Sequence, residues 1–194
     1  MKSFTLKLSL CVLALVALPV NCLGKHKEPP DPKFLAIDQI TIIPIVDLRV
    51  DKKDNINLDN LAKTAAGDLK QRNYATVLSG AKGVAGDIAE EDLNDAKPEW
   101  VKRLGPAEAR WVMVIGLGDV HSKITFGSTG NAEVTGFLFD KQDGSVLWKG
   151  TGVGQAGQGG LLGMAFKGMM SEAAIESAFM NLFGSIPKMP KKGK

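Results

Sequence analysis

Cysteine is nearly absent from this chain of 194 residues: Cys11 and Cys22 are the only two, and both stand close to the N-terminus. No thiol is left for a folded domain, which excludes structural disulfides, CxxC redox chemistry and thiolate zinc sites there. Histidine is as scarce, at His26 and His121, so a Ser-His-Asp arrangement has one imidazole outside the N-terminal region to draw on. Charge of neither sign prevails, with 24 Lys and Arg against 21 Asp and Glu. That balance does not point to nucleic acid as a partner. Long apolar runs are missing too. The run from Leu8 to Leu18 falls short of the roughly 20 residues that cross a bilayer, and Trp111 to Leu117 is only strand-sized. No Walker A motif occurs, and no cofactor is expected.

What is there begins with a leader. Lys2 and Lys7 precede an apolar run that suits the about 7 to 15 residues of a secretory core, so residues 1–24 read as a signal peptide. Its loss removes two lysines and no acid, lowering the formal charge from +3 to +1. Two endings are open. Cleavage before Cys22, with lipid attached to its thiol, anchors the protein; cleavage after Gly24 leaves it free. The segment reads Leu18-Pro19-Val20-Asn21-Cys22, with Asn21 where a lipoprotein signal has a small residue. Residues 25–33, with Pro29, Pro30 and Pro32, read as a flexible tether. One domain over 34–187 follows, then a basic disordered tail over 188–194.

Ile40 to Val46 is apolar and β-branched, a buried first strand with Pro44 near an end or bulge. Leu58, Leu61, Ala62, Ala65 and Leu69 recur at helical spacing, with Asn57 placed to cap the start and Asn73 suited to a left-handed end. Tyr74 to Leu78 then forms a second strand, giving a β-α-β opening with parallel, neighbouring strands. Ala89 to Ala96 reads as a helix carrying Glu90, Glu91 and Asp92 at its start, and Pro98 opens another short helix. Trp111 to Leu117, Ala132 to Phe139 and Val146 to Trp148 form an antiparallel meander, with turns at Gly127 to Gly130 and at Lys141 to Gly144. Asp143-Gly144 supplies the positive backbone angles of a tight hairpin. Ile175, Ala178, Phe179 and Leu182 mark a last helix. The fold class is α/β: a mixed sheet of about five strands, opening with a β-α-β unit, closing with a meander and packed against two or three helices.

Each candidate for chemistry has a plainer reading. Gly152-Val-Gly154-Gln-Ala-Gly157 has the form G-x-G-x-x-G, but no helix opens at the phosphate position, so it reads as a loop. His121 stands at a strand end beside Asp119 and Ser122, without a nucleophile elbow. Asp51, Asp54, Asn55, Asn57 and Asp59 lack the Gly and closing Glu of a calcium loop and read as helix-start residues. Residues 144–168 hold nine of the 22 glycines, a density that a conventional core element does not tolerate. Within them Gly159, Gly160, Leu161, Leu162, Gly163, Met164 and Phe166, followed by Met169 and Met170, form the segment hardest to assign to ordinary fold. It is either a loop folded back over the sheet or an interaction surface.

Together, the leader with Cys22, Ile42-Ile43-Pro44-Ile45-Val46, Arg72-Asn73-Tyr74, Leu104-Gly105, Phe139-Asp140 through Gly144 to Leu147-Trp148, and Gly159 to Gly163 carry a resemblance. From about Phe34 to Pro187 the chain resembles the bacterial lipoprotein family of unknown function typified by surface-antigen lipoproteins. That family is similar in fold to the curli-secretion lipoprotein, the lipoprotein activator of penicillin-binding proteins and the N-terminal domain of the Tol-Pal periplasmic protein. The resemblance implies a non-catalytic envelope protein, in the periplasm or at the outer membrane, that binds other envelope proteins or itself. Asp140, Gly144 and Trp148 carry over as structural residues of the hairpin. The meander's short turns leave no room for the paired hairpins of a membrane pore. The competing expectation is a soluble periplasmic small-ligand binder or enzyme using the strand ends near His121 and Asp47.

Overall fold

Four isoleucines and Thr41 make residues 40–45 a segment of strong β preference, yet it joins the sheet as two short strands. The computed structural model describes residues 31–52, 54–80, 88–125, 127–159 and 167–191. After a one-turn helix α1 (Pro32–Leu35), which takes up the end of the expected tether, come β1 (Ile40–Ile42) and β2 (Val46–Asp47). Both run parallel to a later strand, Ile42 lying opposite Met113 and Val46 opposite Gly116. Pro44 falls in the gap, where its missing N–H costs the ladder nothing. This division gives the described sheet six strands where about five are expected.

Asn57 accepts the Asn60 N–H at 3.0 Å and opens α2 (Leu58–Gln71), whose Ala62, Ala65, Ala66 and Leu69 turn inward. Asn73 ends it at φ +67°, and β3 (Thr76–Leu78) returns parallel to β1, completing the expected β-α-β unit. Further on, α3 (Glu90–Asn94) and α4 (Pro98–Val101) are single turns. The Asp92 carboxylate accepts the Ala89 N–H at 3.0 Å, so the acids there serve the helix start.

The meander is much longer than its apolar residues suggest. Its strands, β4 (Trp111–Thr125), β5 (Gly127–Asp140) and β6 (Ser145–Gly159), are antiparallel to one another, and the sheet order is β3-β1-β4-β5-β6. β4 runs on through an irregularity between Leu117 and Val120, where the strand was expected to stop. The expected turn at Gly127 to Gly130 is paired strand, and the expected Gly152–Gly157 loop lies inside β6. The reason is the last helix, α5 (Lys167–Gly184), which lies across β5 and β6. A methyl group on Gly154 would overlap the Ala174 carbonyl oxygen, one on Gly152 the Ala178 carbonyl oxygen, and one on Gly130 the Met170 carbonyl oxygen. These glycines let helix backbone touch strand backbone, and burial of α5 offsets their conformational cost. Trp148 packs against two more of them, its ring 2.9 Å from where a Cβ on Gly136 would stand and 2.5 Å from where one on Gly150 would.

α2 and α5 thus cover one face, with Leu69, Met113, Ile115, Leu138, Phe179 and Leu182 among the core. Among the described residues the opposite face is covered near its base, where Leu93, Val101 and Leu104 pack on Val112, Val114, Phe137 and Phe139. At the β5–β6 turn, Asp140 is buried and accepts from Arg110 Nε and Nη2, at 3.2 and 2.9 Å, and from the Gln142 N–H at 2.9 Å. The turn has four residues, Lys141 to Gly144, and only Gly144, at φ +74°, is left-handed; Asp143 is not. The tail expected from Lys188 is held as far as Met189, whose N–H donates to the Arg72 carbonyl at 3.0 Å. Tyr74 donates its hydroxyl to the Pro187 carbonyl at 2.9 Å, and burial pushes that phenol up to about 12.

Candidate interaction surface

Beyond the cover of α3 and α4, the three long strands present a polar face that is exposed among the described residues. Side chains alternate along a strand, so Ala132, Val134, Gly152 and Gly154 turn toward α5 while Thr129, Asn131, Glu133, Thr151, Val153 and Gln155 turn to solvent. His121 and Lys123 of β4 join this exposed row, His121 lying opposite Asn131, which lies opposite Gln155. Beside the row a recess is lined by Leu48, Val50, Gly118, Asp119, Glu133 and Thr135. Sequence reading missed the row because its residues alternate with glycine and alanine rather than with large apolar side chains. That small-polar alternation from Gly150 to Ala156 is the signal that could have found it.

His121 lies within β4 rather than at its end. Its Nε2 is 3.6 Å from Asp119 Oδ2, with both side chains more than half exposed. Ser122, the next residue on the strand, points to the other face, so the three cannot assemble as nucleophile, base and orienting acid. Asp47 pairs with Leu117, four residues along the strand from His121, roughly 13 Å at strand spacing. Of the segment singled out in the sequence, Gly159 is the last residue of β6, opposite Gly127. Gly160, Leu161, Leu162, Gly163, Met164 and Phe166 lie outside the described residues, as does Cys22. Just beyond, Met169 is 58% exposed on the first turn of α5. Among the described residues no cluster of three or more His, Cys, Asp or Glu could hold a metal ion, and no helix is long and apolar enough to cross a membrane.

Asp47 is engaged internally. Arg49 Nε and Nη2 donate to its two carboxylate oxygens at 2.8 and 3.0 Å, while Nη1 donates to the Asp54 carbonyl at 2.9 Å. This pins β2 to the loop leading into α2. The Arg49 guanidinium holds the Asp47 carboxyl below the usual carboxylate range. A depressed folded-state value stabilises the fold above the ordinary Asp pKa of about 4, and the contribution is lost as pH falls through the lower value. Asp47→Asn is therefore expected to cost about 2 kcal/mol at neutral pH. The gap from the parent should close below about pH 4. Urea titrations at stepped pH check this, and a gap independent of pH would refute it.

No family model matches the chain, and no curated protein matches it in sequence. Similar solved structures include the lipoprotein GNA1162 from Neisseria meningitidis, at 21% identity, covering 69% of this chain and 96% of that one, with a TM-score of 0.45. The PelC dodecamer from Paraburkholderia phytofirmans is similar at 14% identity over 75% of this chain and 83% of that one, with a TM-score of 0.42. Protein XCC0632 from Xanthomonas campestris is similar at 10% identity over 75% and 81%, with a TM-score of 0.47. At these identities the likeness is one of backbone course alone. The lipoprotein resemblance read from the sequence has its counterpart here, in that a bacterial lipoprotein is among the similar structures.

Proposed function

We propose that this protein is an exported component of a bacterial cell envelope, anchored through lipid on Cys22, that works as a non-catalytic interaction or assembly module. The observation that carries the reading is the sheet itself. Among the described residues three long strands extend past the helices on one side as an exposed polar face, a shape suited to contact with another macromolecule. The leader and Cys22 support export, and the uncharged segment from Gly159 to Phe166 continues from the end of the same sheet. The test has two readouts on the full chain expressed in a bacterial host. The intact mass of the mature N-terminus should show a diacylglyceryl group on Cys22 in the membrane fraction; an unmodified chain starting at Lys25 would refute the anchor. A photo-reactive residue at Leu162 should trap an envelope protein or a second copy, and a chain that crosslinks to nothing would refute the module.

A further inference from the structure

The outer edge of β6 is the feature of this fold that most needs a partner. β6 pairs with β5 on one side and is the last strand of the described sheet on the other. Its register with β5 is unbroken from Trp148 to Gly159, the one irregularity lying nearer the turn, between Leu138 and Phe139. From Gly150 through Gly159 it carries no charged residue and no proline. Natural sheets blunt a long edge with lysine, proline, a bulge or a short strand. This stretch has none of these. The opposite edge shows the contrast: β3 is only Thr76–Leu78.

We infer that the β6 edge pairs antiparallel with β6 of a second copy of this chain, joining two sheets across a two-fold axis at Val153. This deepens the interaction-module reading and rests on it, without depending on lipid at Cys22. Three observations select the occupant. An uncharged strand of this length is matched in length and charge by β6 itself, whereas pairing with β3 would engage three residues and leave a contact that does not close. Val153 is 55% exposed. Placing it on the axis covers it with Val153 of the partner subunit, sets Thr151 opposite the partner subunit's Gln155 and Lys149 opposite the partner subunit's Gly157, and opposes no like charges. The Val153 carbonyl is not taken up by β5 alone: it accepts Asn181 Nδ2 of α5 at 2.7 Å, and a carbonyl oxygen has a second lone pair for a strand N–H. Both copies of α5 then lie on the same face of the joined sheet, leaving the polar faces continuous on the other.

The test is disulfide trapping in cells with the full chain. Directly opposed residues of an antiparallel pair have Cα atoms about 5 Å apart, within disulfide reach. Val153→Cys is expected to give a dimer on a non-reducing gel that reductant removes. Glu133→Cys, also exposed but one strand inward, should stay monomeric. A second variant, Val153→Lys, places like charges on the axis and should abolish chemical crosslinking between copies while its thermal unfolding stays within a few degrees of the parent, because the side chain faces solvent. A Val153→Cys chain that forms no dimer, or a Val153→Lys chain that still crosslinks to itself, overturns the edge pairing. If residue 162 traps a different envelope protein in the same cells, only the edge pairing falls. If it traps nothing, the module reading falls with it.

Discussion

Replacing Gly154 by alanine is expected to remove a large share of the protein's stability, about 3 kcal/mol, out of the 5 to 15 kcal/mol typical of a domain. The added methyl would overlap the Ala174 carbonyl oxygen and lie against the Ala178 nitrogen, both backbone atoms of α5 that no rotamer change can move. Relief requires lifting α5 off β6, which uncovers Phe179 and Leu182, both fully buried. The same substitution at Gly157 is the control. There a Cβ would meet Thr129 Cγ2 at 3.6 Å, an ordinary contact. Gly157→Ala should be neutral or slightly stabilising, within about 0.5 kcal/mol, because alanine restricts the unfolded chain more than glycine does. Urea midpoints at constant slope measure both. Equal midpoints for the two variants would mean that α5 does not rest directly on the strand.

Gly144→Ala should cost about 2 to 4 kcal/mol, from two sources that can be separated. At φ +74° a β-carbon is strained, and here it would also stand 2.6 Å from Pro98 Cβ and 2.7 Å from Pro98 Cα. The turn closes against the first residue of α4, so the clash is with backbone as much as with side chain. Asparagine tolerates the left-handed region better than alanine. If backbone angle alone mattered, Gly144→Asn would recover most of the loss. Contact with Pro98 predicts that it recovers little. Thermal or urea unfolding of the two variants decides between these, and near-parent stability of Gly144→Asn would refute the close approach of turn and helix.

Local signals in the sequence were reliable where one residue's chemistry settles a backbone choice. Asn57 caps α2, Asn73 takes the left-handed turn after it, Pro44 sits where no N–H is needed, and Gly144 takes the positive φ of the hairpin. The hairpin motif Asp140, Gly144 and Trp148 was visible with its structural role, though what Trp148 covers was not. Strand ends were misplaced wherever apolar residues stop, at Leu117, Ala132 and Trp148. Past those points the strands are held by ladder bonds and by α5, and neither leaves a hydrophobic trace in the strand's own residues. The segment from Gly159 to Phe166 was legible only as a run without charge. That Gly159 ends a strand with no outer neighbour among the described strands became visible once the sheet order was known.

The sequence by itself determined the confinement of cysteine to the N-terminal region, the α/β class and the parallel opening. Each of these follows from composition or from contacts within some thirty residues, where propensity and periodicity act directly. Tertiary structure decided the rest. Glycine has no intrinsic preference for strand, so Gly130, Gly152 and Gly154 become strand only because a helix from further along the chain packs against their backbone. That same packing leaves, among the described residues, part of the far face of the meander uncovered and the outer edge of β6 without a neighbouring strand.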